Sequence, residues 1–269
     1  MKKLSLVAVA FAAMIFASCA GGQGGQKSEA EQTDSVKSFE QEQLEASIKI
    51  QFDSLASELG KLKPLPIMQS GENGIQLTDQ EKQVKPDYLL DAAVADNATT
   101  LAEKYRVLSA LVVDQKIAAL YDMPTEDYDK AITKLMADIS DPSFKEIEDQ
   151  NTIYETNQSL YNAMDKNGRI NYYWQMAAAV LVEQLYVLNQ NTDKFITVFD
   201  DDAAANVTFR IILLQDAIER LSAYDTELVP VAKAIEPLKT LNAIDVEQLK
   251  EQLAKVAVEV ADAREALVK

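Results

Sequence analysis

The sequence predicts an all-α protein, either an irregular multi-helix bundle or a short helix-hairpin array of about eight to ten helices. Apolar residues recur at helical spacing over most of the chain, and no segment shows the sustained apolar–polar alternation that is typical of strands. Only 8 glycines and 7 prolines occur among the 269 residues. Because most of these helix breakers stand between the periodic segments, they indicate where helices end.

The first periodic segment runs from Ser28 to Leu59 and predicts an amphipathic helix. One face of this segment is apolar apart from a single glutamine. The positions on that face are Val36, Phe39, Gln43, Leu44, Ile48, Phe52, Leu55 and Leu59. We expect this face to pack against the rest of the domain.

An irregular excursion at residues 60–77 follows this helix. Pro64 and Pro66 require extended backbone, and Gly71 and Gly74 are typical of turns. The excursion is the clearest break in the helical pattern of the chain.

A short helix is predicted directly after the excursion. Thr78 and Glu81 have the spacing of a capping box, in which the side chain of each residue binds the backbone N–H of the other. Pro86 is expected to end this helix, since proline cannot continue an α-helix.

From residue 87 onward, the pattern predicts eight closely spaced helices. Their approximate bounds are 98–121, 126–139, 142–166, 169–190, 193–199, 204–224, 227–240 and 246–268. Asp141 precedes Pro142, the order expected of an N-cap and a first helical residue. Asn167 and Gly168 predict a left-handed helix stop, and Asp245 is expected to cap the last helix.

The segments 169–190 and 204–224 are expected to be the central helices, because apolar residues occupy more than one face of each. The two seams of the first segment are Tyr173, Met176, Val180, Gln184 and Val187, and Trp174, Ala178, Leu181, Leu185 and Leu188. We expect the outer helices to pack around these two.

An internal similarity links two of the helical segments. "LVVDQKIAAL" at Leu111–Leu120 parallels "VLVEQLYVLN" at Val180–Asn189, and each is followed by a related pentapeptide, "DKAIT" from Asp129 or "DKFIT" from Asp193. The two decapeptides are separated by 69 residues and the two pentapeptides by 64. A degenerate duplication of a helix pair would suit a helix-hairpin array. Chance similarity between two amphipathic helices is the alternative.

Residues 1–18 are predicted to be a secretory signal peptide. Lys2 and Lys3 provide its positive end, and Leu4 to Phe16 form an apolar run of 13 residues, shorter than the ~20 that a membrane-spanning helix needs. The next residues complete Phe16-Ala17-Ser18-Cys19, which resembles the lipobox of bacterial lipoproteins. The resemblance implies that the thiol of Cys19 is acylated and that the preceding peptide is removed.

The resemblance also implies an organisation and an address. Residues 19–36, which include four glycines, are expected to form a lipidated flexible tether, and residues 37–269 a single all-helical domain. The chain resembles the helical lipoproteins of unknown function in Bacteroidetes-type envelopes, with no characterised family for the mature domain. In such cells, surface-exported lipoproteins often carry acidic residues after the cysteine. Ala20 to Gln26 contains none, which favours an outer-membrane anchor with the domain facing the periplasm.

The composition excludes several kinds of site. The chain has no histidine and a single cysteine, so zinc sites and catalysis by Ser-His-Asp or Cys-His lack the residues that they need. A net charge of −17 disfavours binding to nucleic acid. No phosphate loop or dinucleotide fingerprint occurs. We therefore expect no metal, no cofactor and no catalytic residue.

Three charged residues, Arg210, Glu183 and Asp114, stand inside apolar helical segments. If they face the interior they must be paired, because an unpaired buried charge is very costly. A structural ion pair between helices, or positions that face solvent, is the favoured interpretation. The functional alternative is a carboxylate–guanidinium site that lines a ligand cleft.

Aromatic residues cluster around the Gly168 turn. They are Tyr154, Tyr161, Tyr172, Tyr173 and Trp174. Tyr173 and Trp174 are candidates for binding a solute or a glycan, since aromatic side chains are common in such contacts. Packing in the core at a helix–helix corner is the alternative.

The run Asp200, Asp201 and Asp202 resembles a cation site only in its charge. It lacks the ligand spacing and the glycine of an EF-hand loop. Acidic residues before a helix are expected to complement its N-terminal dipole instead.

Three classes of function remain open. The favoured one is a non-catalytic adaptor or scaffold, tethered to the membrane by the lipid and contacting another envelope protein. The alternative is a solute- or glycan-binding lipoprotein that uses the Tyr/Trp cluster. A hydrolase based on carboxylates ranks last, because no spacing singles out a catalytic pair.

Overall fold

The computed structural model of the chain describes residues 39–69, 71–145, 153, 155 and 157–268. The predicted signal peptide, the tether and the first part of the first predicted helix lie outside the described residues. Within the described residues there are eleven α-helices and seven short 3-10 helices, and no strand. The all-α prediction is therefore confirmed. The residues from Gln43 onward cluster into one compact unit.

The helices are numbered in chain order. They are α1 Phe39–Lys61, α2 Asp79–Gln83, α3 Leu101–Leu120, α4 Glu126–Ile139, α5 Gln158–Lys166, α6 Ile170–Gln190, α7 Thr192–Phe195, α8 Asp201–Ser222, α9 Val229–Ile235, α10 Val246–Lys255 and α11 Ala257–Val268. Most of the predicted helices are found within about three residues of these bounds, a normal uncertainty for helix ends.

The predicted helix caps are largely confirmed. Thr78 forms both halves of its capping box with Glu81, and Asp245 accepts a hydrogen bond from the backbone N–H of Gln248. Gly168 has a φ of 66°, the left-handed conformation that ends α5 at low cost for glycine.

Three predicted helices are interrupted. The segment 142–166 begins as a 3-10 helix and breaks at Asn157, whose extended backbone caps α5. The segment 227–240 turns into a 3-10 helix at Glu236–Thr240, because Pro237 has no N–H to continue the α-helix. The segment 246–268 is divided at Val256.

The irregular excursion is found where it was predicted. Residues 62–65 have no regular structure, and two 3-10 turns follow, Pro66–Met68 and Gly71–Asn73. Leu65, Ile67 and Met68 are buried against the helices. The excursion is thus part of the packed domain rather than a projecting loop.

Helices α3 and α6 form the centre of the core and run parallel to each other. Near their starts Arg106 Nη1 donates to Gln175 Oε1 at 2.6 Å, and near their ends Asn191 Nδ2 lies 3.4 Å from the hydroxyl of Tyr121. Helix α11 runs antiparallel against both, and Arg106 Nε donates to its terminal Leu267 carbonyl at 2.9 Å. Both predicted seams of α6 are buried throughout.

The expectation that the segment 204–224 is the second central helix is wrong. This segment forms α8, which buries one face through Val207, Ile211 and Leu214 but leaves Phe209 53% and Ile212 54% exposed. Helix α3 takes the central place, with twelve buried residues along its length. A helix can carry a wide apolar stripe although other helices cover only one side of it. The sequence alone therefore did not show that α3, rather than α8, is the second central helix.

The internal similarity corresponds to the parallel pair α3 and α6. Gln175 faces Arg106 with the same separation of 69 residues that relates the two decapeptides. The similarity does not extend to the following element: Asp129 lies on the 14-residue α4, whereas Asp193 lies on the four-residue α7. Duplication of the helix pair therefore stays a prediction.

Candidate functional site: a buried ionic cluster and a surface cleft

A buried ionic cluster lies where α3, α6 and α11 meet. Arg264 Nε donates to both carboxylate oxygens of Glu183 at 2.9 and 2.8 Å, and its Nη2 lies 2.7 Å from Glu183 Oε1. The same Nη2 lies 3.4 Å from Asp114 Oδ2. The side chains of Asp114 and Glu183 are only 0% and 1% exposed. Two matching positions of the internal similarity thus meet at one guanidinium.

Further contacts hold the cluster in place. The backbone N–H of Leu90 donates to Asp114 Oδ2 at 2.7 Å, and the Leu90 carbonyl accepts from the hydroxyl of Tyr128 at 2.7 Å. The guanidinium carbon of Arg264 lies 3.9 Å from the centre of the Tyr186 ring, a cation–π contact. The cluster therefore joins four helices and the segment that precedes α3.

The two carboxyl groups of the cluster are not equivalent. Burial, and then the charge of Glu183, raise the pKa of Asp114 well above its usual range, although Arg264 and the N–H of Leu90 act in the opposite direction. With a proton on Asp114, one guanidinium faces one carboxylate and the cluster is neutral.

The geometry of the cluster favours a structural role. Its two carboxyl groups have almost no exposed surface. The predicted structural interpretation of Glu183 and Asp114 is consistent with this burial. A substrate could not reach either carboxyl group without opening the helix packing.

The prediction that Arg210 forms a buried ion pair with these carboxylates is wrong. Arg210 is 5% exposed, and its Nη2 donates to the backbone carbonyls of Leu62 at 3.2 Å and Lys63 at 2.7 Å. These carbonyls lie just after the end of α1, where a helix leaves acceptors without partners. Burial lowers the pKa of Arg210 to about 10, so the group stays charged at neutral pH.

Tyr173 and Trp174 are core residues. Both side chains are 0% exposed, and the two rings lie 5.1 Å apart in a T-shaped arrangement. Tyr161 packs edge-on to Tyr173 at 5.1 Å, and Phe52 lies 6.4 Å from Trp174. Since neither residue has exposed surface, the expectation that they contact a ligand is not supported, and core packing explains the positions of both. Tyr154, another member of the aromatic cluster, lies outside the described residues.

A surface cleft lies elsewhere, between the excursion and the start of α8. Its volume is ≈ 640 Å³, and Lys63–Pro66 and Gln69 form one wall. Thr197, Val198 and the first turns of α8 form the other wall.

Asp200 caps α8 by accepting from the N–H of Ala203 at 2.7 Å, as the dipole interpretation predicts. Asp201 accepts from the N–H of Val246 at 3.1 Å. Asp202 lines the cleft. Among the described residues there is no group of three or more acidic, histidine or cysteine side chains arranged to hold a metal ion.

Cys19 lies outside the described residues, so its acylation stays a prediction. In the part of the chain that the structure covers, no helix has the length and the apolar character required to cross a bilayer.

Arg264 is the residue of the ionic cluster that the sequence analysis missed. It lies on α11, where Val260, Ala263 and Leu267 are buried. Those residues and Arg264 follow the three- and four-residue spacing of a single helix face. A basic residue inside that stripe was the available signal.

No protein-family model matches this sequence, and comparisons with curated proteins and with solved structures give no match.

Proposed function

We propose that the chain is a lipid-anchored protein of the bacterial cell envelope whose helical domain acts as a non-catalytic adaptor or scaffold for another envelope component. One observation carries the proposal: Cys19 completes Phe16-Ala17-Ser18-Cys19 directly after a positively charged start and a 13-residue apolar run. Acyl chains on Cys19 would hold the protein at the membrane, since each buried CH₂ contributes about 0.8 kcal/mol.

The arrangement of the domain's buried charged groups supports a non-catalytic role. The charged residues in the apolar helices are used inside the fold: Asp114, Glu183 and Arg264 bind one another, and Arg210 binds the end of α1. Such mutually bound groups stabilise a rigid domain, and rigidity suits a part that holds another protein in place.

The acidic character of the chain supports a protein partner rather than a nucleic acid. Loss of Lys2 and Lys3 with the signal peptide would make the mature chain more negative than the −17 of the full sequence. An anionic surface repels phosphate backbones and keeps a tethered domain in solution. The absence of acidic residues from Ala20 to Gln26 favours the periplasmic side of the outer membrane.

Crosslinking in intact cells tests this function. The native protein and a Cys19→Ala variant are crosslinked at equal abundance, and the captured proteins are identified by mass spectrometry. We expect one envelope protein to be captured reproducibly by the native form and to be lost or depleted in the variant. The measured mass of the mature native protein should equal that of a chain that begins at Cys19 and carries the acyl groups.

Two results would contradict the proposal. A native chain that keeps residues 1–18 and carries no lipid would exclude the anchor. A correctly acylated chain that captures no envelope protein would exclude the adaptor while leaving the anchor in place.

A further inference from the structure

The cleft between the excursion and α8 has the size of a ligand site. Its volume of ≈ 640 Å³ lies within the range of roughly 300–1,000 Å³ that small-molecule sites occupy. Pro64, Leu65 and Val198 contribute apolar lining, and polar side chains from both walls complete it. Small-molecule sites usually have a mostly apolar lining, so the many polar side chains of this cleft favour a polar ligand.

The wall formed by the excursion is fixed in place. Arg210 binds the carbonyls of Leu62 and Lys63. Gln69 Nε2 donates to the carbonyl of Pro64 at 2.9 Å, and Leu65 is 2% exposed. A wall with these constraints is preorganised, so a ligand would not have to order it on binding.

Charged groups of both signs face this cleft without pairing with each other. Lys63 on one wall and Asp202 on the other form no ion pair or side-chain hydrogen bond with any described residue, and neither do Glu72 and Asn206. Some other exposed charges do pair, as Lys250 and Asp193 do at 2.6 Å. Asp200 also lines the cleft, but it already accepts from the N–H of Ala203 at 2.7 Å. The side chains of Lys63, Asp202 and Glu72 are thus available to a molecule in the cleft.

We propose that this cleft binds a short peptide with free termini in its zwitterionic form. The peptide carboxylate binds Lys63, and its ammonium group binds Asp202 and Glu72. The amide of Asn206 is available to the peptide backbone. Charge-assisted hydrogen bonds at both ends would give the cleft its preference for uncapped peptides. This activity goes beyond the adaptor role and does not depend on the lipid.

The test is a titration of the isotope-labelled full chain with L-alanine and its di-, tri- and tetrapeptides, followed by amide resonances in NMR spectra. Each peptide is used with free termini, with an acetylated N-terminus, with an amidated C-terminus and with both. We expect free peptides to shift the resonances of Lys63, Asp202 and Asn206. Capping either end should weaken binding about tenfold, the effect of losing one charge-assisted contact.

Matched variants assign each end of the peptide. Lys63→Met should remove the preference for a free carboxylate, and Asp202→Asn should weaken the preference for a free ammonium group. Lys233→Met is the control, because Lys233 lines a different cleft, between α8 and α9. Circular dichroism checks that each variant is folded.

The inference is overturned if no member of the series shifts the cleft resonances, or if capped and free peptides bind equally. It is also overturned if Lys63→Met behaves like Lys233→Met. None of these results bears on the crosslinking of an envelope partner, so the two proposals can fail separately.

Discussion

Arg264 contacts two carboxyl groups, and its contacts with the two differ in number and in length. Glu183 takes the bidentate contact of the guanidinium. Asp114 Oδ2 lies 3.4 Å from Arg264 Nη2, and it accepts a shorter hydrogen bond of 2.7 Å from the backbone N–H of Leu90. Because burial and the charge of Glu183 raise the pKa of Asp114, this carboxyl keeps its proton to a higher pH than an exposed aspartate does.

This inequality predicts different effects of neutralising each carboxyl group. Asp114→Asn should raise the free energy of unfolding at neutral pH, because an amide of similar shape replaces the protonated carboxyl and folding no longer requires a proton to be taken up. Glu183→Gln should lower it by about 3–5 kcal/mol, because Arg264 would keep a buried charge without its main partner. Urea denaturation followed by circular dichroism measures both. Equal losses for the two variants would show that Asp114 is ionised.

The raised pKa of Asp114 also predicts a dependence of stability on pH. The unfolded-state pKa is about 3.9, so above that pH the folded state binds more protons than the unfolded state, and stability falls until the folded-state pKa is passed. Asp114→Asn removes this loss. The free energy of unfolding of the variant minus that of the native protein should therefore rise as the pH rises above about 4. A difference that does not change with pH would contradict the shift.

Arg210 contributes to stability through backbone acceptors rather than through an ion pair. Arg210→Met should lower the free energy of unfolding by about 1–3 kcal/mol, because the carbonyls of Leu62 and Lys63 lose their donor in a buried place. Arg220→Met on the same helix is the control, since that residue is exposed, and its stability should stay close to native. If Arg210→Met is as stable as the control, the contacts at the end of α1 contribute nothing measurable.

At the scale of helices, α8 provides the sharpest test of the packing. Ile211 is 2% exposed and its neighbour Ile212 is 54% exposed, although the two residues are chemically identical. Ile211→Ala should cost about 2–5 kcal/mol, the usual effect of emptying a buried site. Ile212→Ala should change stability by less than about 0.5 kcal/mol. Comparable losses would show that the outer face of α8 is covered in the folded protein.

Helix positions followed from the sequence wherever local signals determine them. The bounds of α4 were predicted to the residue, and those of α6 within one residue at its start, because caps and periodicity act over a single turn. The break at Val256 left no such signal. Leu249, Leu253, Val256 and Val260 are all buried and keep the spacing of one continuous helix across it.

At the scale of the whole molecule, the partners of the buried charges could not be predicted from the sequence. Arg264 is separated from Glu183 by 81 residues and from Asp114 by 150, and Arg210 is separated from Leu62 by 148. Periodicity shows which face of a helix is buried, but not which other helix covers it. The surface cleft was missed for the same reason, since its two walls come from distant parts of the chain.

The separation between Cys19 and the core predicts that anchoring and folding are independent. The buried residues of the described domain extend from Phe52 to Leu267, so this core begins well after the predicted acylation site in the chain. Cys19→Ala should therefore move the protein from the membrane fraction to the soluble fraction without changing its thermal unfolding midpoint.

Trp174 is a suitable probe for that measurement, because it is the single tryptophan of the chain and is packed against Phe52 and Tyr173. Its fluorescence should follow the same unfolding curve in the native and Cys19→Ala proteins. An altered midpoint in the variant would mean that the region around Cys19 contributes to the fold. A variant that still sediments with membranes would mean that something other than the acylated cysteine holds the protein there.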